Sequence, residues 1–102
     1  MSNTYQIFLI SDSTGETLDR IFLSLKAQFQ NIEYKVNSYS FTRTENQVLK
    51  ILDIAKKEKN SIILYTIVDN NLAKFLANKS DEKKIPCFGV LGSLILSFSK
   101  FV

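Results

Sequence analysis

Short apolar runs alternate with amphipathic stretches four times along this chain, and that alternation leaves few folds open to it. Tyr5 to Ile10 is rich in Ile, Phe and Leu and stops at Ser11-Asp12-Ser13-Thr14-Gly15, which reads as a buried strand. From Glu16 the period changes. Leu18, Ile21, Phe22, Leu25 and Phe29 fall on one helical face, so a first helix is expected to run to about Gln30. Ser13 with Glu16 three residues on has the pattern of a capping box, in which hydroxyl and carboxylate satisfy free amides at the helix start. Ile32, Tyr34 and Val36 alternate with polar residues and lead into Tyr39-Ser40-Phe41, a second and less buried strand. Thr44 opens a second helix with Gln47 as capping partner and Val48, Leu52 and Ala55 as inner face. The run from Ser61 to Val68 is the most apolar and β-branched of the chain, which marks a central strand covered on both sides. Asp69 then caps a third helix facing inward through Leu72, Phe75 and Leu76, and a fourth strand, Cys87 to Leu91, passes through Gly92-Ser93 into a last helix.

Strands separated by helices at this spacing predict a doubly wound parallel α/β sheet, Rossmann- or flavodoxin-like, with about four strands and helices on both faces. Parallel strands place their βα loops along one edge. Ser11 to Gly15, Thr42 to Thr44, Asp69 to Asn71 and Gly92-Ser93 should therefore gather at the carboxyl end of the sheet, where any chemistry belongs.

Composition narrows the function. The 102 residues make a single domain, and 45% hydrophobic content with a net charge of +3 excludes a disordered chain. Cys87 is the one thiol and histidine is absent, which excludes an internal disulfide, the usual zinc ligand sets and Ser-His-Asp or Cys-His catalysis. No metal site is expected. The lysines at 56, 57, 59, 74, 79, 83 and 84 are interrupted by acids and lack interleaved aromatics or arginines, so they read as solvated helix faces and not as a nucleic-acid surface. No basic leader with an apolar stretch and cleavage site is present, nor any run of about 18 apolar residues. A cytoplasmic protein without a membrane span is expected. The last amphipathic stretch reaches Phe101-Val102 with neither Gly nor a basic cap and exposes Leu94, Ile95, Phe98 and Phe101. This points to an interrupted protein that can self-associate through its last helix, the alternative being a short helix docked on the sheet.

The sharpest local feature is Ser11-Asp12-Ser13-Thr14-Gly15-Glu16-Thr17. A strand that ends in small hydroxyl residues and Gly and then enters a helix leaves backbone amides converging on one spot with the positive helix end behind them, which suits a phosphate. The alternative is that Ser13, Thr14 and Glu16 only cap the helix. Thr14-Gly15-Glu16-Thr17 also matches part of the flavodoxin phosphate loop, although Asp12 and Glu16 repel a dianion unless Arg43 compensates. Arg43, in Phe41-Thr42-Arg43-Thr44, stands at the end of the second strand, where its fork of donors suits phosphate or carboxylate; the alternative is a surface arginine paired with Glu45 or Asp12. The glycines at 15, 89 and 92 cannot form a nucleotide P-loop.

Taken together, the block at 11 to 17, Gln28-Phe29, Phe41-Thr42-Arg43-Thr44, Tyr65-Thr66-Ile67-Val68-Asp69 and Ile85-Pro86-Cys87 with Val90-Leu91-Gly92 resemble the N-terminal half of the pyruvate, phosphate dikinase regulatory protein family. The resemblance covers essentially the whole chain in order, with Gly89 and Ser93 as departures where the family usually has Asp and Pro. It implies a bifunctional serine/threonine kinase and phosphorylase. Such an enzyme uses ADP to phosphorylate a threonine of the dikinase and uses inorganic phosphate to remove that group as pyrophosphate; a sister branch acts on phosphoenolpyruvate synthase. It also implies that the nucleotide-binding loop lies in a C-terminal half outside this chain. Residues 1–102 would then be a truncated N-terminal α/β domain that holds no nucleotide alone. The candidate phosphate- and substrate-binding residues are Ser11, Asp12, Ser13, Thr14, Gly15, Thr17 and Arg43. The alternatives are a flavodoxin-like module for a phosphorylated ligand such as flavin mononucleotide, or a non-functional remnant.

Overall fold

The computed structural model of the chain describes residues 4–102, apart from the side chains of Ser93, Ile95 and Leu96. The expected alternation is present: β1 (Thr4–Ser11), α1 (Glu16–Gln28), β2 (Glu33–Tyr39), α2 (Glu45–Lys57), β3 (Ser61–Thr66), α3 (Asn70–Glu82), β4 (Cys87–Gly89) and α4 (Gly92–Ser99). The strands form one all-parallel sheet in the order β2-β1-β3-β4. β1 and β3 are the inner strands, so the continuous apolar run Ile7-Phe8-Leu9-Ile10 is buried in full and its residues divide between the faces by the strand's period of two.

Phe8 and Ile10 join Ile63 beneath Val48, Ile51, Leu52 and Ala55 of α2 and Leu72 and Leu76 of α3. Ile7 and Leu9 join Leu64 on the opposite face beneath Leu18 and Phe22 of α1. The sheet is therefore doubly wound. Each of these fully buried aliphatic or aromatic side chains contributes roughly 1.5–3 kcal/mol relative to exposure. The rings of Phe22 and Tyr34 meet edge-on at 5.5 Å, and Phe8 stacks on Tyr39 at 6.2 Å, which ties the outer strand β2 to both layers.

Several boundaries differ from the sequence expectation; β3, expected to reach Val68, ends at Thr66, and Val68 is exposed in the loop beyond it. β2 stops at Tyr39 because Phe41 takes a left-handed backbone, φ 53°, so Ser40 and Phe41 form a turn instead of continuing the strand. α1 ends at Gln28, and β4 is only three residues long. Of the lysines expected on helix faces, Lys56 and Lys57 lie on α2 and Lys74 and Lys79 on α3, whereas Lys59, Lys83 and Lys84 lie in the turns that follow those helices; the pairs Lys79–Glu82 at 3.6 Å and Lys83–Asp53 at 3.9 Å contribute little. No helix among the described residues is long and apolar enough to cross a membrane. On α4, Leu94 and Phe98 are exposed, as are Phe101 and Val102 beyond it; Ile95, expected on the same face, lies outside the described side chains.

Candidate functional site at the switch point of the sheet

The chain leaves β1 toward β2 on one side and leaves β3 toward β4 on the other, so the loops after β1 and β3 part at the carboxyl end of the sheet. Crevices of this kind are where open parallel sheets bind ligands. Here the two loops are joined by hydrogen bonds. The Asp12 amide donates to the Thr66 carbonyl at 3.2 Å, the Val68 amide donates to Asp12 Oδ2 at 2.8 Å, and Thr66 Oγ1 donates to Ser11 Oγ at 3.2 Å. The Asp12 carboxylate is thus engaged at the loop after β3.

The expected capping box of Ser13 and Glu16 is not formed. Gly15 takes the N-cap position with φ 86°, and α1 has no side-chain cap. The reason is local: the left-handed Gly15 turns the chain into the helix two residues later than a cap at Ser13 requires, and the serines bond each other instead. The Ser13 amide donates to Ser11 Oγ at 3.1 Å, the two hydroxyls lie 3.3 Å apart, and Thr14 Oγ1 receives only a long bond, 3.5 Å, from the Glu16 amide. The first amides of a helix have no intrahelical partner. Apart from that long bond to Thr14, the first amides of α1 have no side-chain cap from the N-cap position, and Thr17 stands exposed in that first turn.

The loop after β2 closes against this turn. The Thr42 amide donates to the Ser11 carbonyl and the Phe41 amide to the Ser13 carbonyl, both at 2.9 Å, while Ser40 Oγ donates to the Thr14 carbonyl at 2.9 Å. Arg43 Nε donates to the Asp12 carbonyl at 3.1 Å, and its guanidinium lies 5.3 Å from the centre of the Phe41 ring. Arg43 pairs with neither Glu45 nor the Asp12 carboxylate; the side-chain ion pairs among the described residues lie elsewhere. Its position is fixed from behind by the α2 cap. Gln47 Oε1 accepts from the amides of Arg43 at 2.7 Å and Thr44 at 3.0 Å, while Thr44 Oγ1 accepts from the Gln47 amide at 3.2 Å. This is the box expected at Thr44.

All seven candidate residues therefore share one edge: Ser11, Asp12, Ser13, Thr14 and Gly15 in the first loop, Thr17 in the first turn of α1, and Arg43 brought to Asp12 from the second loop. Ser40, Thr42 and Thr66 belong to the same network and were not singled out by the sequence reading; two hydroxyl residues flanking Phe41 after an alternating strand were the signal for that turn. The cavity between the first loop, the start of α1 and the end of β2 is small, about 20 Å³, and neither Asp12 nor Arg43 lines it, so an anion held by Arg43 would sit outside it. Asp69 is an N-cap, its Oδ1 accepting from the Leu72 amide at 3.0 Å. Tyr65 and Cys87 lie on neighbouring strands, and burial pushes both groups up from their ordinary pKa values. The neighbouring Ser80 hydroxyl pulls the thiol the other way, yet the contact falls short of a full hydrogen bond and leaves Ser80 Oγ unpartnered.

These features define a doubly wound α/β protein with a candidate anion site of helix amides and one arginine at its switch point. Residues 7–102 match the kinase/pyrophosphorylase family model, and the chain belongs to that family. It is 76% identical over 102 residues to a pyruvate, phosphate dikinase regulatory protein of Pelagibacter ubique strain HTCC1062, a match that takes in 100% of this chain and 37% of the relative. Proteins of the same name from Ehrlichia chaffeensis and Agrobacterium fabrum are 34% identical over 101 residues and 37% identical over 98. Those matches take in 99% and 96% of this chain, and 37% and 36% of the relatives. The chain spans little more than a third of the length of these curated relatives.

Proposed function

We propose that this chain supplies the phosphate-handling rim of a cytoplasmic serine/threonine kinase and pyrophosphorylase that regulates pyruvate, phosphate dikinase. The same reading extends to phosphoenolpyruvate synthase as a target. One observation carries it. In a chain of this family, Arg43 is held to the Asp12 carbonyl at 3.1 Å beside a helix start that has no side-chain cap.

The chemistry moves one phosphoryl group in two directions. In the first, a threonine hydroxyl of the dikinase attacks the terminal phosphorus of ADP; the new P–O bond forms, the hydroxyl proton departs and AMP leaves. In the second, inorganic phosphate attacks the phosphothreonine, and the phosphoryl group leaves as pyrophosphate while the hydroxyl is restored. Both directions present an anion that the protein must hold in line, and positioning with charge stabilisation is most of what such catalysis demands. The α1 amides and the Arg43 guanidinium would hold the inorganic phosphate or the phosphothreonine. ADP would be held by the part of the longer protein that this chain does not span. The Asp12 carboxylate is bonded to the Val68 amide but keeps its charge, and with Glu16 in the first turn of α1 it opposes an anion that Arg43 and the α1 amides would hold.

The test replaces Arg43 in a chimera of this chain with the remaining two thirds of the Pelagibacter relative. Charge-assisted contacts contribute roughly 1.5–3 kcal/mol each, so Arg43→Ala should slow the phosphate-dependent direction about ten- to a hundred-fold. The ADP-dependent direction should fall no more than that, and Arg43→Lys should lose less. Unchanged kinetics in both directions for Arg43→Ala would sink the proposal.

A further inference from the structure

The two faces of the sheet are unequally covered. α2 and α3 lie side by side on one face, whereas among the described residues α1 alone contributes the buried helix residues of the other. Four strands at about 4.8 Å spacing span roughly 15–20 Å, and packed helices lie about 8–10 Å apart, so each face has room for two helices. Among the described residues, part of this second face is uncovered. It is an apolar groove of about 370 Å³ floored by Ile7 and Leu64 and walled by Phe22, Leu25 and Phe29 on one side and Phe88 on the other. Leu25, Phe29 and Phe88 are 42%, 52% and 56% exposed, an expensive arrangement for large apolar side chains gathered in one patch.

We infer that this groove seats an amphipathic helix from the part of the longer protein that this chain does not span. Two observations choose that occupant. The groove is apolar and lies on the face that carries one helix where two fit, and the match to the Pelagibacter relative takes in all of this chain but only 37% of the relative, so most of a protein of that length remains to cover the surface. A small-molecule ligand is disfavoured by the lining, whose polar side-chain groups among the described residues are the Tyr5 and Tyr34 hydroxyls, the latter already donating to the Phe29 carbonyl at 3.3 Å; ligand pockets carry a few convergent polar groups that orient what they bind. Among the described residues, α4 contributes none to the lining. The occupant should present Leu, Ile or Phe at i, i+3, i+4 and i+7.

The inference rests on family membership and not on the phosphate reading, and its readouts are independent of activity. A photoreactive phenylalanine analogue is placed in the full-length Pelagibacter relative at the position aligned with Phe29, and the cross-linked peptides are mapped. The expected product is an intramolecular link to a segment outside the matched region. Links confined to α1 and the sheet, or covalent dimers indicating a second copy, would overturn the inference. A second measurement introduces Phe88→Asp into this chain alone and into its chimera with the rest of the relative. In the chain alone the side chain is already wet and the melting temperature should move by under about 2 °C. In the chimera an aspartate forced beneath a helix should lower it by about 5 °C or more. Equal small shifts in both would mean that the groove stays open and would overturn the inference as well.

Discussion

Gly15 is the residue on which the first loop depends. A Cβ there would meet nothing closer than 3.7 Å, so space is not the constraint; the backbone is, with φ at +86°. Gly15→Ala should cost roughly 1–2 kcal/mol through the left-handed conformation alone, or about 4–8 °C in melting temperature per kcal/mol for a domain near this size. Asn tolerates that region better, so Gly15→Asn should recover part of the loss in thermal melts. If alanine proves as stable as glycine, the loop does not hold this turn. Cys87 gives a prediction with a pH sign. Burial raises its pKa above the ordinary 9.0, so above about pH 9 the unfolded chain releases the thiol proton before the folded one does. Stability contributed by the protonated thiol is complete below pH 9 and is lost as the pH climbs through the folded value. Urea melts at pH 7, 9 and 10 should show a steeper alkaline decline for the native chain than for Cys87→Ala, which loses both the thiol and the part of the Tyr65 shift that the Cys87 charge adds to burial.

Elements were legible where their signals were local. Strands β1 and β3 are short continuous apolar runs because they are covered on both faces, and the caps at Thr44 and Asp69 were readable because the oxygen that bonds the third amide on stands directly before the helix. The same rule failed at α1, since it presumes that the hydroxyl residue is the last one outside the helix, and here Gly15 is. Arg43 was legible as a residue at the right edge, but its tie to the Asp12 carbonyl is a tertiary contact across 31 residues. The links of Asp12 to Val68 and Thr66 to Ser11 cross 56 and 55 residues, and no local pattern carries them. The α2 cap is where element and site meet. Thr44→Ala should remove the acceptor for the Gln47 amide and cost about 1 kcal/mol. Gln47→Ala should cost more, because its side-chain oxygen also holds the Arg43 and Thr44 amides. Denaturant melts of the two variants check the order, and equal losses would mean that those two contacts add nothing.

At the scale of the whole molecule, the proposed function divides the two ends of the reaction between this chain and the part of its relatives that it does not span. A nucleotide's phosphates are cradled by consecutive backbone amides with a lysine or arginine, and the glycines at 15, 89 and 92 are too dispersed to form such a loop. Gly15 serves the α1 turn, Gly89 lies within β4 against Tyr65, and Gly92 opens α4. The cavity between the first loop, the start of α1 and the end of β2, about 20 Å³, is far below the few hundred Å³ of a pocket that buries a ligand of nucleotide size. This chain alone should therefore give no micromolar ADP binding by calorimetric titration, whereas its chimera with the remaining two thirds of the Pelagibacter relative should bind ADP. Arg43→Ala in that chimera should leave ADP affinity within about twofold, because the proposed function assigns the arginine to the phosphate or phosphothreonine and not to the nucleotide. Micromolar ADP binding by the isolated chain, lost in Arg43→Ala, would instead move the nucleotide site onto the loop from Ser11 to Thr17 and reverse this division of labour.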